Sequence, residues 1–120
     1  EPLNGYLLLA KKMWDEGNKF SEAWNFGPDN KNFKSVKWIL EKISKEWNKD
    51  IKWNENNGNN LHEASILKLN SEKVKKRLGW ESKLNIDETI GWTINWYKEF
   101  LRNSNMKKYT EKQIDDFMAL

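Results

Sequence analysis

One histidine stands in the whole chain, His62, and it directly precedes Glu63. Neighbouring side chains on a strand point to opposite faces, so the two can serve one ligand only from irregular backbone. A metal site built from one His and scattered carboxylates is short of ligands, and the chain has no Cys to add. A Ser-His-Asp arrangement lacks any nucleophile-elbow pattern around its serines. On residue chemistry alone His62 reads as a loop-end residue with an ordinary hydrogen bond. Asp115 and Asp116 adjoin in a terminal helical segment and read as a solvated pair. The glycines at 5, 17, 27, 58, 79 and 91 never approach Gly-x-Gly-x-x-Gly or a P-loop. Each marks a turn or a helix end except Gly91, which sits inside a helix and suggests close packing. Loop residues near Asn25, Phe26 and Asn60 are the candidates for lining a polar cleft. Read from its residues, the chain is a binding or structural domain with no catalytic set, cofactor loop or metal site of its own.

The elements that must position these residues follow from the apolar spacing. Leu7, Leu8, Met13 and Trp14 recur at helical intervals, which predicts a helix over 3–16 stopped by a left-handed Gly17. Ala23 to Phe26 reads as a short strand entering the turn Gly27-Pro28-Asp29-Asn30. Ser35 is an N-cap, and Val36, Ile39, Leu40, Ile43 and Trp47 form the stripe of an amphipathic helix, with Trp38 off it. Ile51 to Trp53 alternates as a second strand, Asn54 to Asn60 is a loop, and Ala64 to Leu69 reads as a third strand. Asn70 or Ser71 caps a helix that turns Val74 and Leu78 inward and ends at Gly79. Ile86-Asp87-Glu88 opens the next helix, with Ile90, Ile94, Tyr97 and Leu101 on one face and Trp92, Trp96 and Phe100 widening it. Thr110 with Gln113 has the form of a capping box for a last short helix ending at Phe117 and Met118. The expected class is α+β, helix-dominated, with short strands between helices.

Composition narrows the function classes. With 120 residues the chain is one domain or a piece of one. It starts Glu1-Pro2-Leu3 without Met and enters an apolar helical face at once, so it reads as part of a longer polypeptide. Mean hydropathy is −0.97, and no apolar run approaches the roughly 18 residues of a membrane span. The 21 basic and 18 acidic residues are interleaved, so the net +3 is solvated lysine-rich surface and not a phosphate-tracking patch. No nucleic-acid or membrane partner is expected, and a cytoplasmic setting is the default. Eight Trp residues are many for this length. Trp47, Trp92 and Trp96 fall on or beside helical stripes, which favours core packing over a sugar-stacking platform. Trp14 and Trp80, at helix ends, are expected to close the core while their indole N–H groups reach carbonyls.

An ordered series of segments resembles the C-terminal part of the extended short-chain dehydrogenase/reductases that act on nucleotide sugars, the dehydratases among them. It runs Trp24-Asn25-Phe26-Gly27-Pro28, then Ser35-Val36, then His62-Glu63-Ala64 and Leu67-Lys68-Leu69-Asn70. Ser71-Glu72-Lys73-Val74-Lys75-Lys76-Arg77-Leu78-Gly79-Trp80 and the helix through Trp96-Tyr97 complete it. The resemblance implies a substrate-binding lobe whose N-terminal Rossmann domain is absent. Residues 1–17 would be a terminal helix belonging to the dinucleotide-binding domain, and 18–120 the nucleotide-sugar-binding portion. It implies conversion of CDP-D-glucose to CDP-4-keto-6-deoxy-D-glucose by NAD-dependent oxidation at C4, loss of water across C5 and C6, and return of the hydride at C6. NAD, the Tyr-x-x-x-Lys pair and the elimination acid and base belong outside this chain, since Tyr6, Tyr97 and Tyr109 have no Lys four residues on. In relatives the segment at His62-Glu63 approaches the nucleotide's phosphates and ribose. By that match Glu63 would accept from a ribose hydroxyl, Asn60 would stand at the position of a basic residue, and His62 is the better phosphate contact. The chain alone would be inactive, and the full-length protein a homodimer or homotetramer. Two alternatives remain open: another nucleotide-sugar dehydratase or epimerase, and a free-standing protein-interaction domain with a Trp-rich docking face.

Overall fold

The computed structural model describes residues 1–48, 51–54 and 68–120. Five helices carry the described chain: α1 (Pro2–Glu16), α2 (Val36–Trp47), α3 (Glu72–Leu78), α4 (Ile86–Leu101) and α5 (Met106–Met118), with short 3₁₀ turns at Gly17–Phe20 and Asn30–Asn32. The helix-dominated expectation holds. Two compact units divide them, one from Glu1–Asn32 and Asn54–Ser82, the other from Phe33–Trp53 and Lys83–Leu120.

In the first unit α1 starts with Pro2 in its first turn, where the missing N–H costs nothing. Gly17 ends it with φ +69°. The core gathers Phe20, Phe26, Val74, Leu78 and Trp80, with Leu8, Leu9 and Trp24 packed on it. Each such aliphatic or aromatic side chain contributes roughly 1.5–3 kcal/mol on full burial. Phe26 is held edge-to-face by Trp80 at 5.2 Å and by Tyr6 at 5.1 Å between centroids. Gly79 closes α3 in the left-handed region at φ +66°, ψ +21°, as its sequence position predicts.

The second unit is built on α4, whose Ile90 and Ile94 are buried. Asn85 and Glu88 cap α4 reciprocally, each side chain accepting from the other's backbone N–H at 2.9 and 2.8 Å. Ser35 caps α2 by accepting from the Trp38 N–H. Lys42 of α2 pairs with Asp87 of α4 at 2.6 Å, and Lys98 donates to the Glu46 carbonyl at 2.7 Å. Against α5, the Trp96 indole N–H donates to Thr110 Oγ1 at 2.9 Å, and Gln113 Nε2 donates to the Trp92 carbonyl at 3.1 Å.

Several expectations are corrected. There is no strand among the described residues. Residues 23–27 are tied by side chains of α3 and its cap residue instead of a ladder: Lys73 Nζ donates to the Ala23 carbonyl, and Ser71 Oγ takes both the N–H and the C=O of Gly27. The Ile51 N–H likewise donates to Ser44 Oγ. The third expected strand falls largely outside the described residues. Thr110 and Gln113 are not a cap; α5 starts five residues earlier than that cap would set it, under Asn105, and both side chains lie mid-helix holding α4. The tightly packed helical glycine is Gly5, not Gly91. A Cβ on Gly5 would sit 2.3 Å from the Phe26 ring, whereas one on Gly91 would meet nothing within 4 Å. Trp14 closes no core and is 90% exposed. Trp80 is buried, but its N–H lies beside Gly5 and finds no acceptor among the described residues. Val36, Tyr97 and Leu101 lie on apolar stripes yet stay exposed.

Candidate functional site

The motifs 24–28 and 71–80, 44 residues apart at their junction, meet in the first unit. Ser71 is buried, accepts from the Gly27 N–H at 2.9 Å and donates to the Gly27 carbonyl at 3.2 Å. Gly27 has no room for a side chain there, since a Cβ would lie 3.0 Å from Leu69 Cβ and 3.2 Å from Ser71 Oγ. Because the Ser71 hydroxyl is spent on this clamp, the neighbouring Asn70 does the local capping, accepting from the Glu72 N–H at 2.9 Å. Behind the clamp, Lys73 and Arg77 lie over the Trp24 ring at 4.6 and 5.2 Å, and both ion-pair with Glu22. Lys73 and Arg77 therefore pin an aromatic segment rather than face a ligand.

At the edge of this junction lies a polar recess of about 370 Å³ framed by Pro28, Asp29, Asn70, Ser71, Glu72 and Lys75. The turn after Gly27 sets Asp29, and the exposed edge of α3 sets Lys75; the two form an ion pair across 46 residues. The Lys75 ammonium holds the Asp29 carboxyl below its ordinary range, and Asp29 in return raises Lys75. Glu72 is lowered by its hydrogen bond from Lys76, one helical turn on. All three groups are thus locked in their charged forms near neutral pH, which suits polar binding and not proton shuttling. No group of His, Asp or Glu side chains among the described residues is arranged to hold a metal ion. No described helix is long and apolar enough to cross a membrane.

Asn60, His62 and Glu63 lie outside the described residues. Of the cleft residues expected from sequence, Phe26 is buried and serves the core. Asp29, Asn70 and Lys75 were not foreseen as site residues. The Gly-Pro-Asp-Asn turn flagged Asp29 as a turn former, but nothing local connects it to a lysine 46 positions away.

No protein-family profile matches the chain. The chain is 38% identical, over 119 residues and 99% of its own length, to CDP-glucose 4,6-dehydratase of Salmonella typhimurium. The resemblance carried by the ordered motifs is thereby shown, and it falls on the C-terminal portion of that enzyme. The chain spans about a third of that relative's length.

Proposed function

We propose that this chain is the nucleotide-sugar-binding portion of a CDP-glucose 4,6-dehydratase-like lyase. The observation that carries the reading is the 38% identity sustained across 119 residues. The whole enzyme dehydrates CDP-D-glucose to CDP-4-keto-6-deoxy-D-glucose in the cytoplasm, and this portion is inactive by itself. Glu63 accepts from a ribose hydroxyl and His62 meets the diphosphate, with Asn60 beside them. The charged recess at Asp29 and Lys75 is a polar wall of the same unit.

Residues 1–17 supply a helix to the dinucleotide-binding domain. The two-faced character of α1 supports this: Gly5 lies under Phe26, while Leu3, Leu7 and Trp14 are 74%, 71% and 90% exposed. The NAD that the reaction uses does not fit the described residues. Among the described glycines, Gly17 and Gly79 close helices at their C-terminal ends, Gly5 is covered by an aromatic ring, Gly27 is closed in by Leu69 and Ser71, and Gly91 lies inside α4, so none forms a phosphate-cradling turn into a helix. No step is assigned to this chain through that cofactor.

The test is turnover by the full-length polypeptide with NAD present. CDP-glucose should be converted to a keto sugar, and UDP-, GDP- and dTDP-glucose should be poor substrates. Preference for another base would move the protein to a different nucleotide-sugar dehydratase or epimerase. Failure to bind any nucleotide sugar would leave the protein-interaction reading.

A further inference from the structure

The recess at Asp29 and Lys75 has walls of two kinds. Pro28 and Leu69 give it apolar surface, while Asp29, Asn70 and Lys75 bring polar groups to it. Its volume of about 370 Å³ lies at the small end of ligand sites, which run from roughly 300 Å³ upward. The polar groups are only partly used. Lys75 Nζ donates to Oδ1 of Asp29, and Oδ2 has no hydrogen-bond partner among the described residues. Asn70 spends its side-chain oxygen on the Glu72 N–H, and its amide N–H groups have no acceptor among the described residues. The recess thus offers one open carboxylate oxygen beside amide and ammonium donors.

That set fits the polar edge of cytosine. The base carries an amino donor at C4 next to acceptors at N3 and O2, and a carboxylate is a natural acceptor for that amino group. Uracil and thymine have an oxygen at C4, which would face the Asp29 carboxylate lone pair to lone pair. The Lys75 ammonium keeps Asp29 charged at neutral pH, so the carboxylate has no proton to offer such an oxygen. Pro28 and Leu69, the latter 52% exposed, supply apolar surface for the faces of a planar ring. In sequence the wall at Leu69 and Asn70 follows Glu63, the proposed ribose contact, by six and seven residues.

We propose that this recess receives the base of the nucleotide sugar and that Asp29 selects cytosine by accepting from its 4-amino group. Lys75 and Asn70 then donate to N3 and O2. The inference rests on the enzymatic reading and adds to it the residues that tell one pyrimidine from another.

The test measures binding of CDP and of UDP to the full-length polypeptide by calorimetry with NAD present. The parent should bind CDP roughly tenfold or more tighter than UDP, the worth of a hydrogen bond to a charged group. Asp29→Asn can turn an amide N–H toward an oxygen at C4, so its preference should fall to about one. Asp29→Ala should weaken CDP and leave UDP unchanged. Loss of the Asp29–Lys75 pair as a merely structural contact would weaken both nucleotides alike. An unchanged CDP-to-UDP ratio in both variants, or a parent that binds the two equally, would therefore overturn the inference. Turnover of CDP-glucose by the parent would in that case still uphold the enzymatic reading, whereas a parent that binds neither nucleotide would overturn both.

Discussion

Gly5 shows how one missing side chain organises a core. Its place inside α1 looks like an ordinary helical lapse, yet the Phe26 ring occupies the space a Cβ would take, at 2.3 Å. Phe26 in turn stands between Tyr6 and Trp80. Gly5→Ala should therefore destabilise the first unit by about 1–3 kcal/mol despite the better helix propensity of Ala. Thermal melting checks this, and an unchanged midpoint would mean that the ring moves aside freely. At Gly79 the cause is backbone: at φ +66° a β-branched residue is strained, so Gly79→Val should cost about 1–3 kcal/mol in the same measurement. Glu63 belongs to function instead. On the full-length protein Glu63→Ala should raise the KM for CDP-glucose with little change in melting, and an unchanged KM would remove Glu63 from the site.

Within each unit, side-chain bonds tie helices to their neighbours and to the segments between them. The Ser71 clamp couples the cap of α3 to the turn that presents Asp29. Removing it leaves a buried Gly27 N–H without its partner, which costs about 1–3 kcal/mol. Ser71→Ala should lower the melting point accordingly and expose the amide of Gly27 to hydrogen exchange. Retained protection at Gly27 would show that another acceptor replaces the hydroxyl. In the α4–α5 pair, Thr110 and Gln113 read locally as a helix start, but their side chains are taken by the Trp96 indole and by the Trp92 carbonyl. Asn105 does the capping instead, accepting from the Lys108 N–H at 3.1 Å.

Charge acts on the whole chain through pH. Glu16, Glu22, Asp29, Glu72 and Glu99 are all held below their ordinary values, each chiefly by a hydrogen bond from a lysine or, for Glu99, from Ser104. Groups depressed in the folded state stabilise it above the unfolded pKa, and the contribution is lost as pH falls through the folded value. Stability should thus decline as pH drops below the ordinary carboxylate values of 4.5 and 3.8. Lys12, Lys42, Lys75 and Lys112 are raised, so their share persists below 10.5 and fades as pH rises through their higher folded values. Melting midpoints across pH check the sign: Asp29→Asn combined with Glu22→Gln should lower the midpoint at neutral pH, where both pairs are charged, and converge with the parent in acid, flattening the acid limb. An acid limb unchanged in that double variant would place the sensitivity elsewhere. Exposure keeps each pair's contribution small.

Much of the helical architecture was legible in the sequence, because apolar spacing and caps are local. The 3.6-residue period placed α1, α2 and α4, Ser35 capped α2, and Gly79 ended α3. The ordered motifs were enough to identify the resemblance to a nucleotide-sugar enzyme. Tertiary structure alone decided which of those residues pack and which present chemistry. Lys73 and Lys75 are two positions apart in one motif, yet Lys73 covers Trp24 while Lys75 pairs with Asp29 at the recess. It also decided that residues 23–27 are held by side chains and that Gly5 lies under a ring. The reason is range: periodicity and capping act within a turn or two of helix, whereas these contacts join residues about 20 to 50 positions apart, set only when the chain has folded back on itself.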